Sequence, residues 1–252
     1  MVKVNIIKVG GKIVEDSLPA FLDTFVKVQG PKVLVHGGGR TATAMAAKLG
    51  IETKMVGGRR ITDKPMLDVV TMVYGGLVNK NIVASLQERG VNAIGLTGAD
   101  MNLMLSDKRP VGEVDYGYVG DVRKVNAAAL ASFIEGGAVP VLAPLTHDGK
   151  GHILNTNADT IAAEAAKALA SMFQATLTYC FEMPGVLSDP ENPESVIPEI
   201  TPESFKALVA DGTVSGGMIP KLENAIAALR AGVDRVVITS PGNPEGGTVI
   251  TL

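Results

Sequence analysis

The chain has one cysteine, Cys180. A single thiol forms no internal disulfide, which fits a reducing compartment. Basic runs are absent and the formal net charge is −3, so a nucleic-acid surface, which needs clustered Lys and Arg, has little support. The start, MVKVNIIKVGGK, has no signal-peptide core, because Lys8, Gly10 and Gly11 interrupt it early. The apolar stretch AVPVLAPL carries two prolines and is too short to span a bilayer. With no targeting or membrane signal, the cytoplasm is the expected compartment. Low-complexity segments and short repeats are also missing. Two nucleotide motifs are absent as well. No G-x-x-x-x-G-K-[ST] run occurs, which excludes a P-loop, and no G-x-G-x-x-G follows a strand, so a dinucleotide fingerprint is not visible.

What is present is a globular composition. Of 252 residues, 46% are apolar and 19% charged, enough for a sizeable core. Residues 2–9, VKVNIIKV, read as a buried strand running into Gly10-Gly11. A helical pattern opens at Asp16-Ser17 with Pro19 and carries Phe21, Leu22, Phe25 and Val26. A second strand, Lys32 to His36, runs into Gly37-Gly38-Gly39 and a helix stopped by Gly50. This alternation predicts an α/β fold, a mainly parallel sheet covered by helices. After Thr62 comes a long helical stretch with Leu67, Val70, Tyr74, Leu77 and Val78 at helical spacing. Gly75-Gly76 inside it costs about 1 kcal/mol per glycine relative to alanine; a close helix crossing, across a dimer interface, or a kink would account for it. Residues 91–96 form a third strand. Residues 111–125 read as a hairpin or lid, and a helix from Asn126 to Glu135 precedes the strand AVPVLAPL. An alanine-rich helix follows Asn155, Asn157 and Asp159. From 175 the pattern restarts with ATLTYCF, then a helix capped by Thr201, a helix from Met218 and the strands DRVVIT and GTVITL. A lobe boundary is placed near 174.

Several residues are candidates for handling phosphate. Lys8 lies at the carboxyl end of the first strand, where open α/β sheets bind ligands; a lysine snorkelling at a strand end is the plainer alternative. HGGGR follows a strand and opens a helix, so its N–H groups suit an anion. In Ser215-Gly216-Gly217-Met218-Ile219-Pro220-Lys221, the lysine projects near a helix N-terminus, where an anion would offset the unfavourable dipole. N-T-N-A-D places three Asn or Asp residues at a helix start; capping explains one of them. The histidines are three, His36, His147 and His152, and none is a convincing base; His36, beside the glycine loop, reads as structural.

The ordered set GGK, HGGG, GRRIT, GYVGDV, NTNAD and SGGMIPK resembles the amino acid kinase family over essentially the whole chain. The resemblance implies a three-layer α/β/α sandwich about a mainly parallel open sheet. Residues 1–174 would form the lobe for an acyl amino acid and residues 175–252 the lobe for ATP with Mg²⁺. It implies ATP-dependent phosphorylation of the side-chain carboxylate of an N-acyl-glutamate, within arginine biosynthesis. Lys8 and Lys221 match the lysines that stabilise the transferring phosphoryl group, and Asp159 the aspartate that organises them. Gly38, Gly39, Arg60 and Asn155 match positions that hold the acyl-glutamate. Gly11, the stretch Glu182, Met183, Pro184, Gly185, Val186 and Leu187, and the stretch Thr213, Val214 and Ser215 match nucleotide-binding segments. No residue is assigned as a metal ligand. A carboxylate is already ionised at neutral pH, with a pKa of about 4.3, so no general base is required.

Three features depart from the family pattern. Glu182 replaces the usual Asp. T-G-A-D-M stands for S-G-K-D-G, with Ala99 for Lys and Met101 for Gly, which leaves acetyl and succinyl acyl groups both open. The chain also starts almost at its first strand. Arginine-inhibited hexamers of the family carry an extra N-terminal helix, so a homodimer is expected. Other readings are a kinase of the same fold with another substrate, a catalytically silent amino-acid sensor, and, more weakly, a nicotinamide oxidoreductase.

Overall fold

In β1 (Lys3–Val9) successive side chains enter opposite faces of a sheet. Val4 and Ile6 join one apolar cluster, while Ile7 and Val9 join another. The period of two therefore assigns Lys8 to the face of Val4 and Ile6. The computed structural model describes residues 1–243 and 246–252. Gly10-Gly11 is more than the tight loop expected, because Gly11 opens a short helix, α1 (Gly11–Asp16). α2 (Leu18–Phe25) has Pro19 in its first turn and buries Phe21, Leu22 and Phe25. β2 (Lys32–His36) is buried at every position. α3 (Gly39–Lys48) follows, then a small hairpin of β3 (Met55–Val56) and β4 (Arg59–Arg60).

The long helical stretch is capped by Asp63, whose carboxylate accepts from the Met66 N–H at 3.0 Å. It comprises α4 (Lys64–Val70), a π-helical segment over Thr71–Val78 that contains Gly75-Gly76, and α5 (Asn79–Glu88). A Cβ on Gly75 would lie 3.4 Å from Leu145 and 3.5 Å from Thr97, so that glycine faces these side chains rather than another helix. The run Lys64–Glu88 is long and apolar enough to cross a membrane. Its residues Met66, Val69, Val70, Val73, Ile82 and Leu86 are instead packed in the core.

β5 (Ala93–Leu96) leads through a 3₁₀ turn to β6 (Met104–Lys108), which pairs with β7 (Gly120–Val125). The expected hairpin over 111–125 is thus partly displaced: residues 120–125 form its second strand, and the first lies upstream in a segment that gave no clear alternation. α6 (Ala127–Glu135), capped by Asn126, precedes β8 (Val139–Leu142), β9 (Leu145–His147), β10 (Ile153–Asn155) and α7 (Ala158–Leu169). Then come β11 (Gln174–Cys180), β12 (Glu199–Ile200), α8 (Pro202–Ala210) with its Thr201–Ser204 capping box, α9 (Met218–Arg230), β13 (Arg235–Thr239) and β14 (Thr248–Ile250).

The main sheet runs β12-β14-β13-β11-β1-β2-β8-β5. Its pairings from β13 to β5 are parallel and β14 is reversed against β13. Residues of α6, α7 and α9 pack with the Val4–Ile6 cluster, and those of α2 to α5 with the Ile7–Val9 cluster. The result is the expected three-layer sandwich. A second sheet, β10-β9-β6-β7, adjoins it. The expected division near 174 falls at the entry to β11, and the sheet continues across it, because β1 and β11 pair from Lys3–Gln174 to Val9–Cys180. β1 sits where the chain crosses from one side of the sheet order to the other, the position at which such sheets open a crevice.

The GYVGDV segment is locked to the chain before α4. The Thr62 N–H donates to the Tyr116 carbonyl at 2.9 Å and the Tyr118 N–H to the Thr62 carbonyl at 2.7 Å. Gly117, at φ +71, passes so closely that a Cβ would sit 2.3 Å from the Thr62 carbonyl oxygen. Gly117→Ala is expected to lower stability by about 3 kcal/mol, from strain plus overlap with backbone. A urea midpoint equal to wild type would contradict this.

Candidate active site

Lys8 closes β1 near its carboxyl end, on the face covered by α7. The first turn of α7 carries Asp159. Its position is set by Asn157, the N-cap, whose side-chain oxygen accepts from the Asp159 N–H at 2.7 Å and the Thr160 N–H at 3.2 Å. A carboxylate in this turn is also favoured by the helix dipole. Lys221 comes from the start of α9. These side chains meet: Lys8 Nζ lies 2.8 Å from Asp159 Oδ1, and Lys221 Nζ lies 2.7 Å from Oδ2. All are largely buried, with 12–17% of each side chain exposed. Lys221 is backed by the rings of Tyr179 and Phe181, 5.4 and 5.8 Å from its nitrogen.

The electrostatics follow from one carboxylate serving two cations. Burial alone would raise the Asp159 pKa, but Lys8 and Lys221 outweigh it and hold the carboxyl at about 2. The Lys221 pKa is lowered, chiefly by burial, because one shared carboxylate does not offset both desolvation and the Lys8 charge. Glu182 acts on Lys221 in the raising direction, which places that residue in the neighbourhood of the lysines.

The glycine loops face one another. A Cβ on Gly11 would lie 3.5 Å from the Gly38 nitrogen and 3.8 Å from the Gly39 nitrogen; a Cβ on Gly37 would lie 3.0 Å from the Gly11 nitrogen. A side chain at Gly37 would crowd the Gly11 backbone, and amide groups line the gap. Arg60 joins this edge: Nη2 donates to the Gly39 carbonyl at 2.8 Å and to Thr43 Oγ1 at 2.9 Å. The Asn155 amide donates to Thr62 Oγ1 at 2.9 Å, and Thr62 Oγ1 to the Arg60 carbonyl at 3.3 Å. Gly11, Gly38, Gly39, Arg60 and Asn155 are thus linked through direct contacts and Thr62. Thr62 is fully buried and was not singled out from the sequence, although GRRIT contains it.

The expected nucleotide segments divide by burial. The side chains of Val186, Leu187 and Val214 are buried, so only their backbone groups could face a ligand. A Cβ on Gly185 would come 2.7 Å from Val196. Glu182 and Ser215 are exposed, and Met183, Pro184 and Thr213 are half-buried. The T-G-A-D-M departure lies in a turn held by Asp100, which accepts from the Thr97 N–H at 2.6 Å and the Thr97 hydroxyl at 2.8 Å. Met101 there has φ 51, a left-handed conformation that glycine adopts more easily.

The chain belongs to the amino acid kinase family, whose profile matches residues 3–240. It is 67% identical over 252 residues to the acetylglutamate kinase of Phocaeicola vulgatus, with 98% of each chain covered. It is 68% identical over 249 residues to the acetylglutamate kinase of Parabacteroides distasonis, again covering 98% of each. Among solved structures, the smu.665 protein of Streptococcus mutans superposes with a TM-score of 0.83 at 30% identity, covering 98% of both chains.

Because the Asp159 pKa is depressed, its ionised form stabilises the fold above the ordinary carboxylate range. That stability is lost as pH falls through about 2. Asp159→Asn is expected to cost about 3 kcal/mol at pH 7, since it leaves two buried cations facing each other. The gap from wild type narrows between pH 4 and pH 2.5 in urea unfolding. A gap that stays constant over that interval would contradict the assignment.

Proposed function

We propose that this protein transfers the γ-phosphoryl group of ATP to the side-chain carboxylate of N-acetyl-L-glutamate, giving N-acetyl-L-glutamyl 5-phosphate and ADP. The observation that carries the reading is the Lys8–Asp159–Lys221 bridge at the carboxyl end of β1, at 2.8 and 2.7 Å. Close relatives named acetylglutamate kinase support the choice of substrate, which places the enzyme in arginine biosynthesis.

The chemistry needs positioning and charge neutralisation more than proton transfer. The attacking carboxylate is ionised at neutral pH. Two anions approach, so the principal barrier is their repulsion and the charge spread over the phosphoryl oxygens. Lys8 and Lys221 donate to those oxygens from opposite sides. Asp159 holds both ammonium groups at fixed positions and keeps the pair from separating when the site is empty of anions. Its own carboxyl, with a pKa of about 2, is no proton acceptor at working pH. The Gly11, Gly38 and Gly39 amides bind anionic oxygens, while Arg60 and Asn155 orient the acyl amino acid. The substrate lobe is residues 1–174 and the ATP lobe residues 175–252. Glu182 to Leu187 and Thr213 to Ser215 hold the nucleotide, those with buried side chains through backbone groups. Mg²⁺, when bound with ATP, supplies further charge neutralisation. Among the described residues no group of three or more His, Cys, Asp or Glu side chains is arranged for a metal; Mg²⁺ bound with a nucleotide needs no such cage, because phosphate oxygens and water fill most of its shell.

A homodimer is supported by the exposed Met72 and Leu77 beside the open face of Gly76 on the π-helical segment, where a second helix could approach closely. A cytoplasmic location agrees with a single, buried thiol.

ADP release measured against N-acetylglutamate, N-succinylglutamate, glutamate, aspartate, carbamate and UMP is expected to be fastest with N-acetylglutamate. Turnover confined to UMP or carbamate would overturn the substrate. Lys8→Ala is expected to lower kcat by about 10²–10³-fold with little change in KM, the loss typical of one donor aimed at transition-state charge. Unaltered kcat would remove Lys8 from the reaction.

A further inference from the structure

His36 ends β2 fully buried, immediately before the glycine loop. Its Nδ1 lies 2.8 Å from the carbonyl oxygen of Gly37. Its Nε2 lies 3.1 Å from the side-chain nitrogen of Asn79, which also lies 2.9 Å from the Val141 carbonyl. The Asn79 amide nitrogen can only donate, and the Val141 carbonyl can only accept, so the orientation of that amide is fixed. One amide hydrogen goes to Val141 and the other to His36 Nε2. Nε2 is therefore an acceptor, and the neutral ring carries its proton on Nδ1 and donates it to the Gly37 carbonyl.

This bond acts on the peptide unit between Gly37 and Gly38. In a trans peptide the C=O and the following N–H point in opposite directions, and no cis peptide occurs among the described residues. Holding the Gly37 oxygen toward the buried ring turns the Gly38 N–H the other way. The Gly38 nitrogen lies 3.5 Å from the position a Gly11 Cβ would occupy, so its side of the loop is the gap between the two glycine loops. The loop has no side chains to hold that plane by itself.

Other observations show that this arrangement is retained at a cost. The Asn79 Oδ1 is buried without a hydrogen-bond partner, an arrangement that ordinarily destabilises a fold. Gly95 makes room for it, since a Cβ there would come 1.9 Å from Oδ1. The preceding π-helical segment presses on the same loop: a Cβ on Gly38 would lie 3.0 Å from Tyr74 and 3.5 Å from Val78. Such segments recur at functional sites.

We propose that His36 and Asn79 are positioning residues: their buried hydrogen-bond chain fixes the Gly37–Gly38 peptide plane so that the Gly38 N–H is presented to the anionic acyl amino acid. This rests on the assignment of Gly38 to substrate binding given above. Neither side chain touches the substrate.

The test is a pair of variants. In His36→Asn the amide nitrogen stands near the place of Nδ1 and can still donate to Gly37. In His36→Gln the amide group stands near the place of Nε2, where its oxygen accepts from Asn79, and nothing is left to donate to Gly37. His36→Gln is expected to raise KM for N-acetylglutamate about tenfold or more, with KM for ATP within about twofold of wild type. His36→Asn is expected to keep KM for N-acetylglutamate within about threefold of wild type. Equal values for the two variants, or a parallel rise in both KM values, would overturn the proposal. Wild-type turnover in the same assay separates the readings: without it the substrate assignment falls too, whereas with it equal variants sink the positioning role alone. A second measurement needs no variant of His36. Long-range ¹H–¹⁵N NMR of the wild type, with His147 and His152 assigned by substitution, is expected to show His36 protonated on Nδ1 at neutral pH. A proton on Nε2 would refute the hydrogen-bond chain even if both variants failed to fold.

Discussion

One carboxylate between two ammonium groups is the constraint on which the site depends. Each contact of under 3 Å is worth about 6 kcal/mol gross at an effective dielectric of 20, before desolvation. Two such attractions oppose one repulsion between the lysines. The balance holds only while Asp159 stays ionised, and the cations ensure that by keeping its carboxyl at about 2. Without the aspartate, two buried like charges would repel and their side chains would swing apart. With it, they stand ready for a group that brings more negative charge than a carboxylate can.

The fold brings these groups together from distant parts of the chain. Asp159 and Lys221 are 62 residues apart, and Lys8 belongs to the first strand. β1 lies inside the sheet, with β11 on one side and β2 on the other. The glycine turns after β1 and β2 therefore become neighbours, and α7 crosses over β1 with its N-terminus at the same edge. Alternation along β1 then does the rest. Lys8 shares the face of Val4 and Ile6, which is the face α7 and α9 cover, so its ammonium meets Asp159 rather than the glycine loops directly.

Much of this was legible in the residues. Strand periodicity located β1, β2, β11 and β13, and capping chemistry located α7 and α8. Lys8 and Lys221 stood out because each is chemically out of place for a purely local role, and Asp159 because its segment holds more Asn and Asp than one helix cap requires. What stayed hidden depends on long-range contacts. The second sheet pairs β6 with β7 and β9 with β10, and its short strands show no strong alternation of their own. Thr62 is buried by a loop more than fifty residues downstream, through bonds of its backbone, which carry no sequence signal. Gly75-Gly76 pointed to a close helix crossing or a kink; the π-helical geometry around it is a tertiary outcome that propensity does not encode. The role of His36 depends on Asn79 and Val141, neither of which is near it in the sequence.

The account is tested most directly by a crystal structure with ADP, tetrafluoroaluminate and N-acetylglutamate. It predicts that the planar fluoride group sits at the carboxyl end of β1, with the Nζ atoms of Lys8 and Lys221 each within about 3 Å of a fluorine and the glutamate side chain in line with the metal centre of the analogue. An analogue bound elsewhere, or in contact with only one of the two ammonium groups, would contradict it.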